Sequence, residues 1–224
     1  MQIAGSIALV TGANRGLGRH FAQQLLERGA AKVYATARTP ERVDLPGTDV
    51  LRLDITDPSS ISDAATAARD VTLLVNNAGS ATFQNLVTGD LDKIRLEMDT
   101  HFYGTLGMIR AFAPALASNG GGAILNVLSV MSWMSYDGAN AYGAAKAAEW
   151  SLTNAARLEL ANQGTQVTGL HMASTDTDMM ADWDIPKNAP ADVVRTALDG
   201  LEAGRQEILA DEITAQAKAA LPTT

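Results

Sequence analysis

Seven short, nearly continuous apolar runs constrain this chain more than any other feature. They are "SIALVTG" (6–12), "KVYATAR" (32–38), "VLRLDIT" (50–56), "TLLVNNA" (72–78), "GAILNVLS" ending at Ser129, "QVTGLHM" (166–172) and the shorter "EILAD" (207–211). A strand with one wet face alternates polar and apolar residues; runs without that alternation read as strands buried on both faces. Helical spacing fills the gaps. In "RGLGRHFAQQLLERGA", Leu17, Phe21 and Leu25 recur with Ala22 and Leu26, and Gly29 stops the helix. A short helix follows the third run, a long one is predicted from about Gly89 to Ala117, another carries "NAYGAAKAAEW", and a proline-flanked one begins near Ala191. Alternation of this kind requires parallel pairing through right-handed crossovers, hence an α/β fold: a doubly wound parallel sheet with helices on both faces.

With 224 residues, 46% of them hydrophobic, the chain has material for one sizeable core, and a single domain over residues 1–224 is expected. No apolar run reaches the length of a membrane span, and no secretory leader opens the chain, so a cytoplasmic location and no membrane partner are expected. The absence of cysteine removes disulfides, thiolate metal sites and thiol catalysis. A formal charge of −8 without clustered Lys and Arg argues against a nucleic-acid partner.

Between the first strand and first helix stands "TGANRGLG", with Gly12, Gly16 and Gly18. Phosphate can approach a backbone closely only where Cβ is missing, and a helix N-terminus supplies free N–H donors and the positive end of a dipole. Gly12, Asn14, Arg15, Gly16, Leu17 and Gly18 are therefore candidate nucleotide contacts; the alternative is a glycine-rich connector with no ligand. No Gly-Lys-Ser/Thr follows, which disfavours a triphosphatase. Dinucleotide choice depends on charge at the end of the second strand, where a carboxylate would repel a 2′-phosphate. That end reads Ala37-Arg38, without an acid. Arg38 and Arg15 can converge on a 2′-phosphate, so NADP(H) is predicted over NAD(H), unless both arginines are solvated surface groups.

Tyr142 and Lys146 lie four apart and share a helix face. A free phenol, with a pKa of about 10, is a poor base at neutral pH, but a nearby ammonium favours the phenolate and fits tyrosine for general acid–base work. Lys146 can also reach a cofactor ribose. Ser129 closes the fifth strand at its C-terminal end, where open α/β sheets bind ligands, and can polarise a carbonyl oxygen.

"TGANRGLG", "NNAG" (76–79), Ser129 and "YGAAK" stand in an order and spacing that resemble the short-chain dehydrogenase/reductase family, over nearly the whole chain to about residue 180. The resemblance implies a Rossmann-type fold, nicotinamide hydride transfer without a metal, and a catalytic set of Ser129, Tyr142 and Lys146. It further implies adenine contacts at Asp54 and Ile55, a cofactor floor at Asn76, Ala78 and Gly79, and nicotinamide-side contacts at Thr175 and Thr177. It also implies a homo-oligomer, dimer or tetramer. His101 falls where many relatives have an asparagine of the proton relay; it either serves in that relay or is a packed helix residue. Met172-Ala173 stands where the family usually has a Pro-Gly pair, and the segment before Ala191 is short compared with relatives that carry a helical lid, which would leave the substrate side more open.

Met and aromatic residues in "VMSWMSYDG", with Met179, Met180 and Trp183, favour a bulky apolar or aromatic carbonyl, or else pack on a neighbouring subunit, an alternative that also holds for Trp150. The expected activity is therefore NADPH-dependent reduction of a ketone or aldehyde, reversible as alcohol oxidation. A binding protein that senses NADPH without turnover is the rival reading. An epimerase or dehydratase of the extended relatives also uses Tyr and Lys, but calls for a further substrate domain.

Overall fold

The computed structural model describes residues 1–221. Seven strands form one parallel sheet in the order β3-β2-β1-β4-β5-β6-β7. They are β1 (Ile7–Val10), β2 (Lys32–Ala37), β3 (Asp49–Arg52), β4 (Leu73–Asn76), β5 (Ala123–Val127), β6 (Gln166–His171) and β7 (Glu207–Leu209). Each falls on a predicted apolar run; the runs extend into the flanking turns, which is why the strands are shorter.

Both faces of the sheet are covered over its central strands, which accounts for their unbroken apolar runs; the edge strand β3 is instead largely exposed, because it has a neighbour on one side only. Ala8, Val10, Leu73, Val75 and Leu125 join one core cluster with Phe21 and Leu25 of α1 (Gly16–Glu27) and Val194 and Leu198 of α6 (Pro190–Glu202). The intervening Leu9, Leu74 and Ile124 point the other way, onto Ile61 of α2 (Pro58–Ala67) and Met108, Phe112 and Leu116 of α4 (Thr105–Ser118). Burying each such side chain contributes about 1.5–3 kcal/mol. Connections leave β1 toward β2 and β3 on one side and β4 joins on the other, so strand order reverses at β1/β4 and a crevice opens above their C-terminal ends.

The long helix predicted over 89–117 is instead two. Helix α3 (Leu91–Met98) begins at an Asp90 cap that accepts hydrogen bonds from Asp92 N at 2.9 Å and Lys93 N at 3.3 Å. A π-helical turn over Asp99–Gly104 then joins it to α4. Thr100, His101 and Gly104 are buried there. Gly104 lies so close to Ile55 that a Cβ would sit 3.0 Å from its carbonyl oxygen. The widened turn is thus fitted to the end of β3 and carries His101 inward. Helix α5 (Asn140–Glu159) carries the Tyr-Lys pair, and α7 (Glu212–Ala219), which the sequence reading did not anticipate, closes the described chain. Among the described residues no helix is long and apolar enough to cross a membrane.

Candidate active site

Helices α2, α3 and α7 all begin at an aspartate whose side chain accepts from the first turn. Helix α1 does not: Arg15 stands at its cap position without a side-chain hydrogen bond, and no acid occupies its first turn. Its first N–H groups are left as donors facing the crevice. The turn before it is held from below by Thr11, whose Oγ1 accepts from Asn77 N and Ala78 N, both at 2.9 Å. Asn77 Nδ2 donates to Thr11 O at 2.8 Å. Gly12 has φ +68°, and a Cβ there would come within 3.0 Å of Ala78 Cα, so only glycine fits. At Gly18 a Cβ would collide with the Gly12 carbonyl. Asn14 and Leu17 are half-buried on the same turn. This tight, uncapped turn has the donors and clearance a pyrophosphate needs.

The other expected cofactor residues are placed unequally. Asn76 Nδ2 donates to Asn126 Oδ1 at 2.8 Å and Asn126 Nδ2 to Thr153 Oγ1 at 2.9 Å, a buried chain tying β4 to β5 and α5. Gly79 rests on His101, with a Cβ only 2.7 Å from His101 Cε1. Thr177 meets the glycine turn, its Cγ2 standing 3.4 Å from where a Gly16 Cβ would be. Thr175 is buried and its hydroxyl donates to Ala173 O at 3.1 Å. Asp54 accepts from both Thr56 N and Thr56 Oγ1, at 3.0 and 2.7 Å. Ile55 packs against the π turn. Arg38 is exposed at the end of β2. Arg15 pairs with Asp178 at 3.0 Å. Where Met172-Ala173 stands, Ala173 N donates to Asp211 Oδ2 at 2.8 Å, a restraint from the α7 cap that the sequence did not signal.

Ser129, Tyr142, Lys146 and His101 come together at the ends of β5 and α5. Ser129 is buried and its Oγ accepts from Met131 N at 3.1 Å, which leaves the hydroxyl proton free to donate. Tyr142 is half-buried; its ring meets His101 edge-on at 5.2 Å and lies 5.8 Å from Lys146 Nζ. Burial pushes the Tyr142 phenol above its ordinary value; the Lys146 ammonium and the Ser129 hydroxyl pull it back, while Glu149 and Glu97 oppose them.

Two carboxylates that sequence reasoning missed stand behind these residues. Glu149 and Glu97 are buried, as is His101. Lys146 Nζ donates to Glu149 Oε2 at 2.6 Å and to Val127 O at 2.8 Å. Burial alone would lower the Lys146 value, but Glu149 carries it above the ordinary one. Thr105 Oγ1 donates to Glu149 Oε1 at 2.9 Å. His101 Nε2 lies 2.7 Å from Ser80 O and 3.3 Å from Glu97 Oε2, and its Nδ1 lies 3.8 Å from Glu149 Oε2. Glu97 accepts from Thr82 N; burial raises its carboxyl, but bonds from His101 and Thr82 bring it below the ordinary value. A signal existed in the sequence: Tyr142, Lys146 and Glu149 run i, i+4, i+7 along one helix face.

The aromatic residues divide. Trp183 lies 5.6 Å from Phe83. Trp133 and Trp150 instead meet edge-on at 6.1 Å, with Lys218 Nζ of α7 over both rings at 4.6 and 5.2 Å.

Comparison with known proteins agrees with this geometry. The family described as short chain dehydrogenase matches residues 6–188. A solved short chain dehydrogenase of Burkholderia cenocepacia, in complex with NADP, is 41% identical and superposes with a TM-score of 0.94 over 98% of this chain and 95% of its own. The NADPH-dependent 1-acyldihydroxyacetone phosphate reductase of Schizosaccharomyces pombe is 33% identical over 80% of this chain, which spans only 62% of that protein. The 3-oxoacyl-[acyl-carrier-protein] reductase FabG of Vibrio cholerae is 34% identical over 80% of this chain and 77% of its own length.

Proposed function

The chain belongs to the short-chain dehydrogenase family, and on that premise we propose that it is an NADPH-dependent carbonyl reductase, reversible as an alcohol dehydrogenase. The observation that carries this reading is the meeting of Ser129, Tyr142 and Lys146 at the same C-terminal edge of the sheet as the uncapped first turn of α1. The turn's N–H groups would hold the pyrophosphate, Arg38 the 2′-phosphate, joined by Arg15 once it leaves Asp178, Asp54 the adenine side, and Lys146 the nicotinamide ribose. Asn76, Ala78 and Gly79 would floor the crevice, with Thr175 and Thr177 on the nicotinamide side. The complex of the Burkholderia relative with NADP supports this choice of cofactor. When bound, NADPH supplies the hydride for the carbonyl carbon.

The residues of the chain do the rest. Ser129 donates its free hydroxyl proton to the carbonyl oxygen and orients it. Tyr142, protonated at neutral pH as an ordinary phenol is, gives its proton to that oxygen as negative charge develops there. Phe83 and Trp183 support an apolar or aromatic substrate. Homo-oligomerisation, as dimer or tetramer, belongs to the same proposal: Leu96 and Tyr103 are exposed along one surface groove that also contains Ile61 of α2.

The test is a panel of aldehydes, aryl ketones and bulky aliphatic ketones offered to purified protein while NADPH oxidation is followed. Turnover that drops about 10²–10⁴-fold in Tyr142→Phe, with NADPH still bound, is the expected result. Silence across the panel with tight NADPH binding would instead support a cofactor sensor.

A further inference from the structure

The ammonium that should make Tyr142 acidic is opposed as it does so. Lys146 Nζ is 2.6 Å from Glu149 Oε2, and both side chains are buried. Seen from the phenol, a lysine so paired is closer to a dipole than to a unit charge, and the potential of a dipole falls off faster with distance.

Glu149 is held in place from every side. Its Oε1 accepts from Thr105 Oγ1 of α4 at 2.9 Å, while His101 Nδ1 of the π turn lies 3.8 Å from Oε2. Behind His101 stands a second carboxylate, Glu97 of α3, fixed by Thr82 N. Among the described residues, the ionisable groups facing this centre are Tyr142, Lys146 and Glu149 on α5, His101 on the π turn and Glu97 on α3; Ser129 and Thr105 add hydroxyls. The two carboxylates both act on the phenol against the one ammonium.

We propose that Glu149 is a positioning residue that cancels the field of Lys146 at Tyr142, holding the tyrosine as a proton donor and biasing the enzyme toward carbonyl reduction. The inference rests on the reductase reading given above. In reduction, the carbonyl carbon gains a hydride from NADPH, its oxygen gains the Tyr142 proton, and the phenolate left behind regains a proton from solvent. Oxidation of the alcohol needs the phenolate at the outset, so it is confined to alkaline conditions.

Phenolate absorbance in the near ultraviolet reads this without cofactor or substrate, as the difference between the wild-type protein and Tyr142→Phe during an alkaline titration. In Glu149→Gln the Tyr142 phenolate is expected at a pH lower by about one unit or more. The alcohol-oxidation pH profile is expected to move to lower pH with it, a displacement that a merely structural loss of Glu149 would not cause. The double variant Lys146→Gln with Glu149→Gln keeps the interior charge balanced and is expected within about half a unit of wild type, because the pair it removes was already nearly neutral toward the phenol. An unmoved or higher midpoint in folded Glu149→Gln overturns the proposal. So does a double variant that titrates well above wild type, even if the single variant fails to fold. Turnover without a shift sinks the proposal alone; a shift without turnover of any carbonyl sinks the reductase reading and leaves the charge cancellation standing.

Discussion

Arg15, at the cap position of α1, reaches across the mouth of the crevice to Asp178 in the segment after β6, Nη1 to Oδ2 at 3.0 Å. Both side chains are about two-thirds exposed, 66% and 69%. An exposed pair of this kind is worth about 0.2–1 kcal/mol. It nonetheless sets two demands against each other, since the guanidinium expected on a 2′-phosphate is engaged elsewhere. Asp178→Asn should free Arg15 and lower the Michaelis constant for NADPH by up to about fivefold at low salt. The gain should shrink as ionic strength rises. A constant that rises in the variant would show that Asp178 assists binding.

Arg38 is expected to carry the heavier share of cofactor choice. It is exposed at the C-terminal end of β2, where strand geometry delivers the adenosine side of a dinucleotide. A charge-assisted hydrogen bond contributes about 1.5–3 kcal/mol. Arg38→Ala should therefore raise the Michaelis constant for NADPH by roughly 10–100-fold and leave that for NADH within about twofold. Parallel steady-state measurements with the two cofactors decide it; an unchanged ratio would remove Arg38 from the site.

How much of this was open to reading depended on whether a signal lay within one element or between two. The central strands were legible because burial on both faces leaves an unbroken apolar run, as Ala8, Leu9 and Val10 show by dividing between two cores. The break in the helix predicted over 89–117 was not, because it is fixed by Gly104 against Ile55, about fifty residues away in sequence. Arg15 looked free for the same reason: its partner Asp178 is 163 positions on. Trp150 could have been placed from the helix alone. Eight residues at about 100° each turn it some 80° from Tyr142, whereas seven bring Glu149 back to within about 20°. That arithmetic separates a clamp residue from a site residue.

Gly79 tests whether His101 belongs to the catalytic cluster. A Cβ at Gly79 would stand 2.7 Å from His101 Cε1, so Gly79→Ala must displace the imidazole or the floor of the crevice. Because His101 meets the Tyr142 ring at 5.2 Å, the displacement should reach the phenol. We expect kcat to fall by roughly 10-fold or more, with a loss of about 1–3 kcal/mol of stability from overpacking. His101→Ala combined with Gly79→Ala should recover the packing loss measured by thermal unfolding, since the colliding ring is gone. Failure to recover would place the strain in the backbone instead.

Glu207 links α7, through His171, to Ser129 and makes acid stability predictable. His171, 3.5 Å away, and then Lys218, at 2.9 Å, hold its carboxyl down to about 2 against the opposing effect of burial. His171 Nδ1 in turn lies 3.1 Å from Ser129 O, and its ring stacks on Trp133 at 4.0 Å. A carboxyl whose folded value is depressed contributes stability that is complete above its unfolded value, near 4.5, and lost as pH falls toward about 2. Glu207→Gln should therefore cost about 1–3 kcal/mol at neutral pH, the lower end reflecting partial solvent screening. For a chain of this length that corresponds to roughly 2–4 °C of Tm for each kcal/mol. The gap between wild type and variant should narrow through pH 4.5 and close by about pH 2, as thermal unfolding followed across that range would record. A gap of constant size would mean that the variant loses packing of Lys218 between Trp133 and Trp150, and that the Glu207 charge adds nothing.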